Sequence, residues 1–158
     1  MREAGVLMPV SARPSSVGAG ELGEAAFHFI ELLKKNHVRI WQILPLNPVG
    51  YGNSPYQPYS SCAGDDIYIS LDTLAEEGLL KKSPMPFLDK CKKVDYERVR
   101  QYREPYLRAA FMAFVEQKGY EKQEYKEFAA QSWVYEYGVV RALKEANNGA
   151  CWNEWPEE

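Results

Sequence analysis

Tyr51, Tyr56 and Tyr59 recur through one uncharged loop, Pro45 to Gly64, together with Asn47, Asn53, Ser54, Gln57, Ser60 and Ser61. Flat rings beside neutral donors and acceptors suit a pyranose, whose apolar C–H faces lie on aromatic platforms while its hydroxyls meet hydrogen-bonding groups of modest strength. A phosphate or a nucleic acid would require Lys or Arg here, and the loop has neither. The same tyrosines could instead fill the core of an irregular surface loop, and composition leaves both readings open. The four prolines and three glycines of this stretch favour one fixed, irregular backbone path.

Other candidates for chemistry are weaker. Asp65-Asp66 invites a search for paired carboxylates, but neighbours on a strand point to opposite faces and cannot flank one glycosidic bond, so they read as turn or cap residues. His28 and His37 lack acidic or cysteine companions at metal or triad spacing. Cys62, Cys91 and Cys151 are odd in number and widely spaced, which argues for incidental thiols rather than a disulfide framework or a metal site.

The loop needs elements to hold it. Ile40-Trp41-Gln42-Ile43-Leu44 is a β-prone run closed by Pro45, and Gly5 to Val10 is a similar short run. Between them, Leu22, Ala26, Phe29 and Leu33 mark an amphipathic helix over Glu21 to Lys35, stopped at Asn36. The order predicts a βαβ unit with parallel strands. Ile67, Ile69 and Leu71 alternate with Tyr68 and Ser70 as a third, half-buried strand would, followed by a helix with a capping box at Thr73 and Glu76 and an end at Gly78, Lys81 and Lys82. Ser83-Pro84-Met85-Pro86-Phe87 breaks the chain. Beyond it, helical spacing predicts a hairpin of two helices, Val94 to Gln117 and Tyr125 to Ala146, ended by Asn147-Asn148-Gly149, with Trp152 and Trp155 packing back on it.

The chain has 158 residues, 46% hydrophobic and 26% charged, with a net charge of -3. That is the balance of a soluble domain without a basic face for nucleic acid or a polybasic membrane anchor. The sequence holds no apolar run long enough for a membrane span and Met1-Arg2-Glu3-Ala4 does not open a signal peptide, so the expected location is cytoplasmic.

Trp41-Gln42-Ile43-Leu44-Pro45-Leu46, followed by Tyr51-Gly52-Asn53-Ser54-Pro55-Tyr56-Gln57 and Ala63-Gly64, closely resembles the signature of the amylomaltases, the 4-α-glucanotransferases of glycoside hydrolase family 77. The resemblance extends back to Gly5-Val6-Leu7-Met8-Pro9-Val10-Ser11 and Gly18-Ala19-Gly20-Glu21-Leu22-Gly23, and forward to Trp133-Val134-Tyr135-Glu136-Tyr137 and Trp152-Asn153-Glu154-Trp155-Pro156. It therefore covers nearly the whole chain. It implies an α/β fold: residues 1-82 as the first βα units of a TIM (β/α)8 barrel carrying the sugar-binding loop 45-64, and residues 83-158 as a mostly helical subdomain. An eight-stranded barrel needs at least about 200 residues, so this barrel is incomplete.

The activity implied is transfer of a segment of α-1,4-glucan to a new 4-hydroxyl by a retaining double displacement, without a cofactor. Such a reaction needs two carboxyl groups about 5 Å apart across the scissile bond. The resemblance puts the family's catalytic acids beyond this stretch, so no catalytic residue is named and the chain by itself is expected to be a fragment without transferase activity. Carried over position by position, Ser54 and Tyr56 fall where the family lines its donor-side groove, Tyr51 falls at a secondary glucan site of some members, and Trp41 and Gln42 support the loop from beneath. The implied partners are α-1,4-glucans and maltooligosaccharides. Departures from the commoner family pattern are Asn53 and Glu21 where Asp is usual, Met8 where some members carry His, and Asp65-Asp66 in place of the usual Asn-Pro; losing that Pro is expected to loosen the exit of the loop. Two alternatives stand beside this reading: a non-catalytic α-glucan-binding module, and a partial barrel that associates with another chain through its open edge.

Overall fold

A computed structural model describes residues 3–81, 86 and 93–156. Strand β1 (Gly5–Leu7), helix α1 (Glu24–Lys35) and strand β2 (Ile40–Gln42) form the expected βαβ unit, with β1 and β2 parallel in the register Gly5↔Ile40, Val6↔Trp41, Leu7↔Gln42. Both strands are shorter than their apolar runs. Val10–Ala12 instead forms a 3-10 turn after Pro9, and the backbone beyond Gln42 leaves for the loop. Helix α1 starts at Glu24 behind Gly23 and buries Ala26 and Leu33; Leu22 lies ahead of the helix and is exposed. Asn36 caps its C-terminus as expected, and His37 takes a left-handed φ of 58° in the turn into β2.

The third strand is not formed. Asp66–Tyr68 is a 3-10 turn and helix α2 runs Leu71–Glu76. The Asp65 carboxylate accepts from the Ile67 amide and the Ser70 hydroxyl accepts from the Thr73 amide, so side chains capture the backbone donors that a strand would have offered to a neighbour. Ile67 and Leu71 are consequently both buried while Ile69 is exposed, a four-residue spacing rather than alternation. The cap of α2 is therefore Ser70 rather than Thr73, three positions earlier than the box read from sequence. Gly78, with φ of 74°, follows the helix as expected.

Helix α3 spans Tyr96–Glu116 with Asp95 as its cap, accepting from the Arg98 amide. The second predicted helix divides into α4 (Gln123–Ala129) and α5 (Ser132–Ala146). Phe128 and Trp133 meet edge to face at 5.7 Å across the break, and Trp133 Nε1 donates to Gln131 Oε1, which gives the bend a contact that a straight helix would lack. Asn147 and Gly149 end α5. Trp152 does not pack back on these helices: it is 79% exposed, while Trp155 Nε1 donates locally to the Ala150 carbonyl. Lys82, the breaker around Pro84 and Cys91 lie outside the described residues, as does the boundary expected at 82/83.

Two apolar clusters hold α3 to the strand-bearing part. One joins Val17, Leu71 and Leu80 to Ala110; the other joins Ala19 and Ile67 to Val99. Leu71 and Val99 are fully buried, each worth about 1.5–3 kcal/mol of transfer free energy. Gly20 lets the segment before α1 cross β1's exit: a Cβ there would fall 2.0 Å from the Val10 carbonyl oxygen.

Candidate functional site

Parallel strands send their C-terminal ends the same way, so the segments after Leu7 and Gln42 leave β1 and β2 on one side. The loop 45-64 grows from that side. Its ends are closed by the Asp65 amide donating to the Leu46 carbonyl and by Asn47 Nδ2 donating to the Ala63 carbonyl, at 2.8 and 2.9 Å. A bridge between Val49 and Pro58 and a bond from the Tyr59 amide to the Pro48 carbonyl narrow its neck. At the tip, Tyr51–Asn53 makes a 3-10 turn in which Gly52 and Asn53 are both left-handed, with φ of 77° and 52°. Gly adopts this conformation without a Cβ clash and Asn tolerates it better than most residues.

Trp41 of β2 is half-buried between the strand pair and α1. Its Nε1 donates to the Met8 carbonyl at 2.8 Å, its ring meets Phe29 edge to face at 5.0 Å, and the Arg13 guanidinium lies 5.9 Å from it. Gln42 has an exposed side chain, and its backbone carbonyl accepts from the Met8 amide. Ser54 is half-buried, and its carbonyl accepts from the Gln57 amide in the turn that presents Tyr56. Tyr56 is 70% exposed. The Tyr51 side chain lies outside the described residues. Between the loop and the strand exits runs a cleft of about 440 Å³, lined by Pro9, Leu44, Val49, Asn53, Pro55 and Tyr96 among others.

Tyr59 differs from Tyr56. Its ring stacks on Tyr137 of α5 at 6.2 Å with an interplanar angle of 11°, its hydroxyl accepts from Arg141 Nη1 at 2.8 Å, and the Lys144 ammonium lies 5.7 Å from its centroid. It is therefore engaged within the protein and is not a free platform.

The loop exit is clamped rather than loosened. Arg100 of α3 grips Asp65 with two parallel bonds of 2.7 and 2.6 Å and also reaches Asp66 Oδ1 at 3.1 Å, while Arg141 reaches Asp66 Oδ2 at 3.4 Å. The absent proline is thus replaced by side-chain bonds. Burial by itself would raise the Asp65 carboxyl, but the Arg100 bonds and charge outweigh it and hold it below its ordinary value. Asp66 moves the other way, raised by burial and by the adjacent Asp65 charge, against the pull of Arg141 and Arg100. Arg100, Arg103 and Arg141 are not legible in local sequence pattern because each finds its partners far along the chain.

Glycoside hydrolase family 77, described as 4-alpha-glucanotransferase, matches residues 8–158. The chain belongs to that family. A 4-alpha-glucanotransferase of Synechocystis sp. is 41% identical over 99% of this chain and 32% of its own length. The Thermus thermophilus 4-alpha-glucanotransferase is 38% identical over 98% of this chain and 31% of its own. Among solved structures, the amylomaltase from Streptococcus agalactiae in complex with acarbose superposes with a TM-score of 0.87 at 29% identity, covering 99% of this chain and 32% of that one. The chain thus spans about a third of the length of the curated 4-alpha-glucanotransferases it matches.

Proposed function

We propose that this chain supplies the first βα units of a TIM barrel and the glucan-holding loop of a 4-α-glucanotransferase, which moves a segment of α-1,4-glucan to a new 4-hydroxyl. The observation that carries the reading is the uncharged loop 45-64, which leaves β2 on the C-terminal side of the parallel pair and presents the exposed ring of Tyr56. In barrels of this kind the C-terminal strand ends are where substrates bind. Tyr56 offers a face for a pyranose, Ser54 a hydroxyl for a sugar hydroxyl, and Tyr51 a further contact at the tip; Trp41 and the Gln42 backbone hold the loop from below. Loops that order an acceptor sugar and exclude water favour transfer over hydrolysis of a covalent glycosyl intermediate.

The paired carboxylates of a retaining reaction are not assigned to this chain. Asp65 and Asp66 are taken up by Arg100 and Arg141, and Glu21 is buried against Arg103. Maltotriose disproportionation by the 158-residue chain, followed by chromatography of longer maltodextrins, tests this. No products, with maltoheptaose binding that Tyr56→Ala weakens, is the expected outcome; products would overturn the assignment of the acids. The reading as a binding module without catalysis shares the binding result and differs only in what a longer relative would do.

Association through the open edge is a second reading, motivated by apolar side chains around β1, β2 and α1: Phe27 is 67% exposed and Leu7 59%. Light scattering tests it, and a monodisperse monomer would count against it.

A further inference from the structure

Arg141 stands on α5, far from the loop in sequence, yet its guanidinium donates to the Tyr59 hydroxyl at 2.8 Å and reaches Asp66 at 3.4 Å. Tyr137, one helical turn earlier on the same face, stacks on the Tyr59 ring. Tyr59 in turn is bonded through its amide to the Pro48 carbonyl, and it follows the Val49–Pro58 bridge at the neck of the loop. The tip that carries Ser54 and Tyr56 lies between these two strands of the neck. We propose that Arg141 is a positioning residue: acting through Tyr59, it sets the placement of Ser54 and Tyr56 for an α-1,4-glucan, so that helix α5 braces the sugar-binding loop. The inference rests on the proposed glucan-binding role of that loop.

Three observations carry it. The guanidinium presents its two Nη groups to two different parts of the loop region, one at the neck and one at the exit, which a single ammonium could not match in geometry. The aromatic face of Tyr59 is already used by Tyr137, so the ring serves as a strut between α5 and the neck. Finally, Tyr56 is exposed and has no comparable clasp on its ring among the described contacts, so its placement depends on how the neck is held.

The experiment compares the whole chain with Arg141→Ala, Arg141→Lys, Tyr59→Phe and the Arg141→Ala/Tyr59→Phe double variant. Maltoheptaose affinity is read by calorimetry and amide hydrogen exchange by NMR. Arg141→Ala and Tyr59→Phe are each expected to weaken maltoheptaose by about tenfold, the scale of one hydrogen bond to a charged group. The double variant is expected to lose no more than Arg141→Ala, because that substitution has already broken the link to the Tyr59 hydroxyl. Exchange at the Gln57 and Tyr59 amides should speed up while the amides of α1 stay unchanged, and Arg141→Lys should recover only part of the affinity. Tyr59→Phe removes one oxygen and keeps the ring stacked, so it guards against a variant that simply fails to fold. Unchanged exchange at Gln57 and Tyr59 in Arg141→Ala would overturn the proposal. If the unaltered chain binds no maltoheptaose, the glucan reading of the loop fails, and the exchange data alone decide whether Arg141 braces it.

Discussion

Arg103 Nη1 donates to Glu21 Oε2 at 2.9 Å, joining residues 82 positions apart with side chains only 1% and 10% exposed. The same carboxylate accepts from the Ser70 hydroxyl and the Leu71 amide, and Arg103 also donates to the Ile69 carbonyl. One ion pair therefore ties α3, the start of α2 and the approach to α1. Glu21→Ala would strand the Arg103 charge in the interior and is expected to cost about 3–5 kcal/mol in urea unfolding. Replacing both residues with leucine should cost less than Glu21→Ala alone, because an apolar pair leaves no buried charge. A Glu21→Ala chain as stable as the parent would refute this keystone role.

Tyr56→Ala removes an exposed ring. Maltoheptaose affinity should fall by about tenfold or more, whereas the thermal midpoint should barely move, since the side chain supports little of the core. Equal affinity in the two proteins would remove Tyr56 from the site.

Asp65 makes stability depend on acid. Its carboxyl is held below the ordinary value of 3.8 in the folded chain, so its contribution is fully present above that value and is lost as pH falls through the lower, folded one. Asp65→Asn keeps the shape and removes the charge that Arg100 grips. The variant is expected to be about 2 kcal/mol less stable at neutral pH, with the gap closing below about pH 3.8. Asp66, whose carboxyl is raised, has the opposite sign: folding favours its protonated form, so lowering the pH relieves a penalty. A gap that stays constant down to pH 2 would contradict the Asp65–Arg100 assignment.

Gly20→Ala should destabilise by about 3 kcal/mol, because the added carbon must displace backbone rather than a flexible side chain. Gly64→Ala provides the contrast: a Cβ there meets nothing within 4 Å, and calorimetric melting should place it within about 1 kcal/mol of the parent.

Much of the scaffold is legible in local pattern. The spacing of Ala26, Phe29 and Leu33 gives α1, Asn36 its end, and the flanking apolar runs a parallel strand pair. Where side chains compete for backbone donors, pattern misleads: Ile67-Tyr68-Ile69-Ser70-Leu71 reads as alternation, yet the Asp65 and Ser70 caps convert it to a 3-10 turn and a helix. The break between α4 and α5 was likewise hidden, because apolar spacing continues through it.

The sequence alone determines the uncharged Tyr-, Pro- and Gly-rich character of residues 45-64 and the strand, helix and strand segments before it, since these depend on neighbours within a few positions; their order gives the βαβ unit, and the order of motifs along the chain gives the family resemblance. The tertiary structure decides which tyrosine stands free and which is a strut. Tyr56 and Tyr59 are three residues apart and alike in type, but only Tyr59 meets Tyr137 and Arg141. It also decides that Asp65, Asp66 and Glu21 are spent on Arg100, Arg141 and Arg103. Those partners are brought together only when α3 and α5 pack against the strand-bearing part, and no local periodicity encodes a contact across dozens of residues.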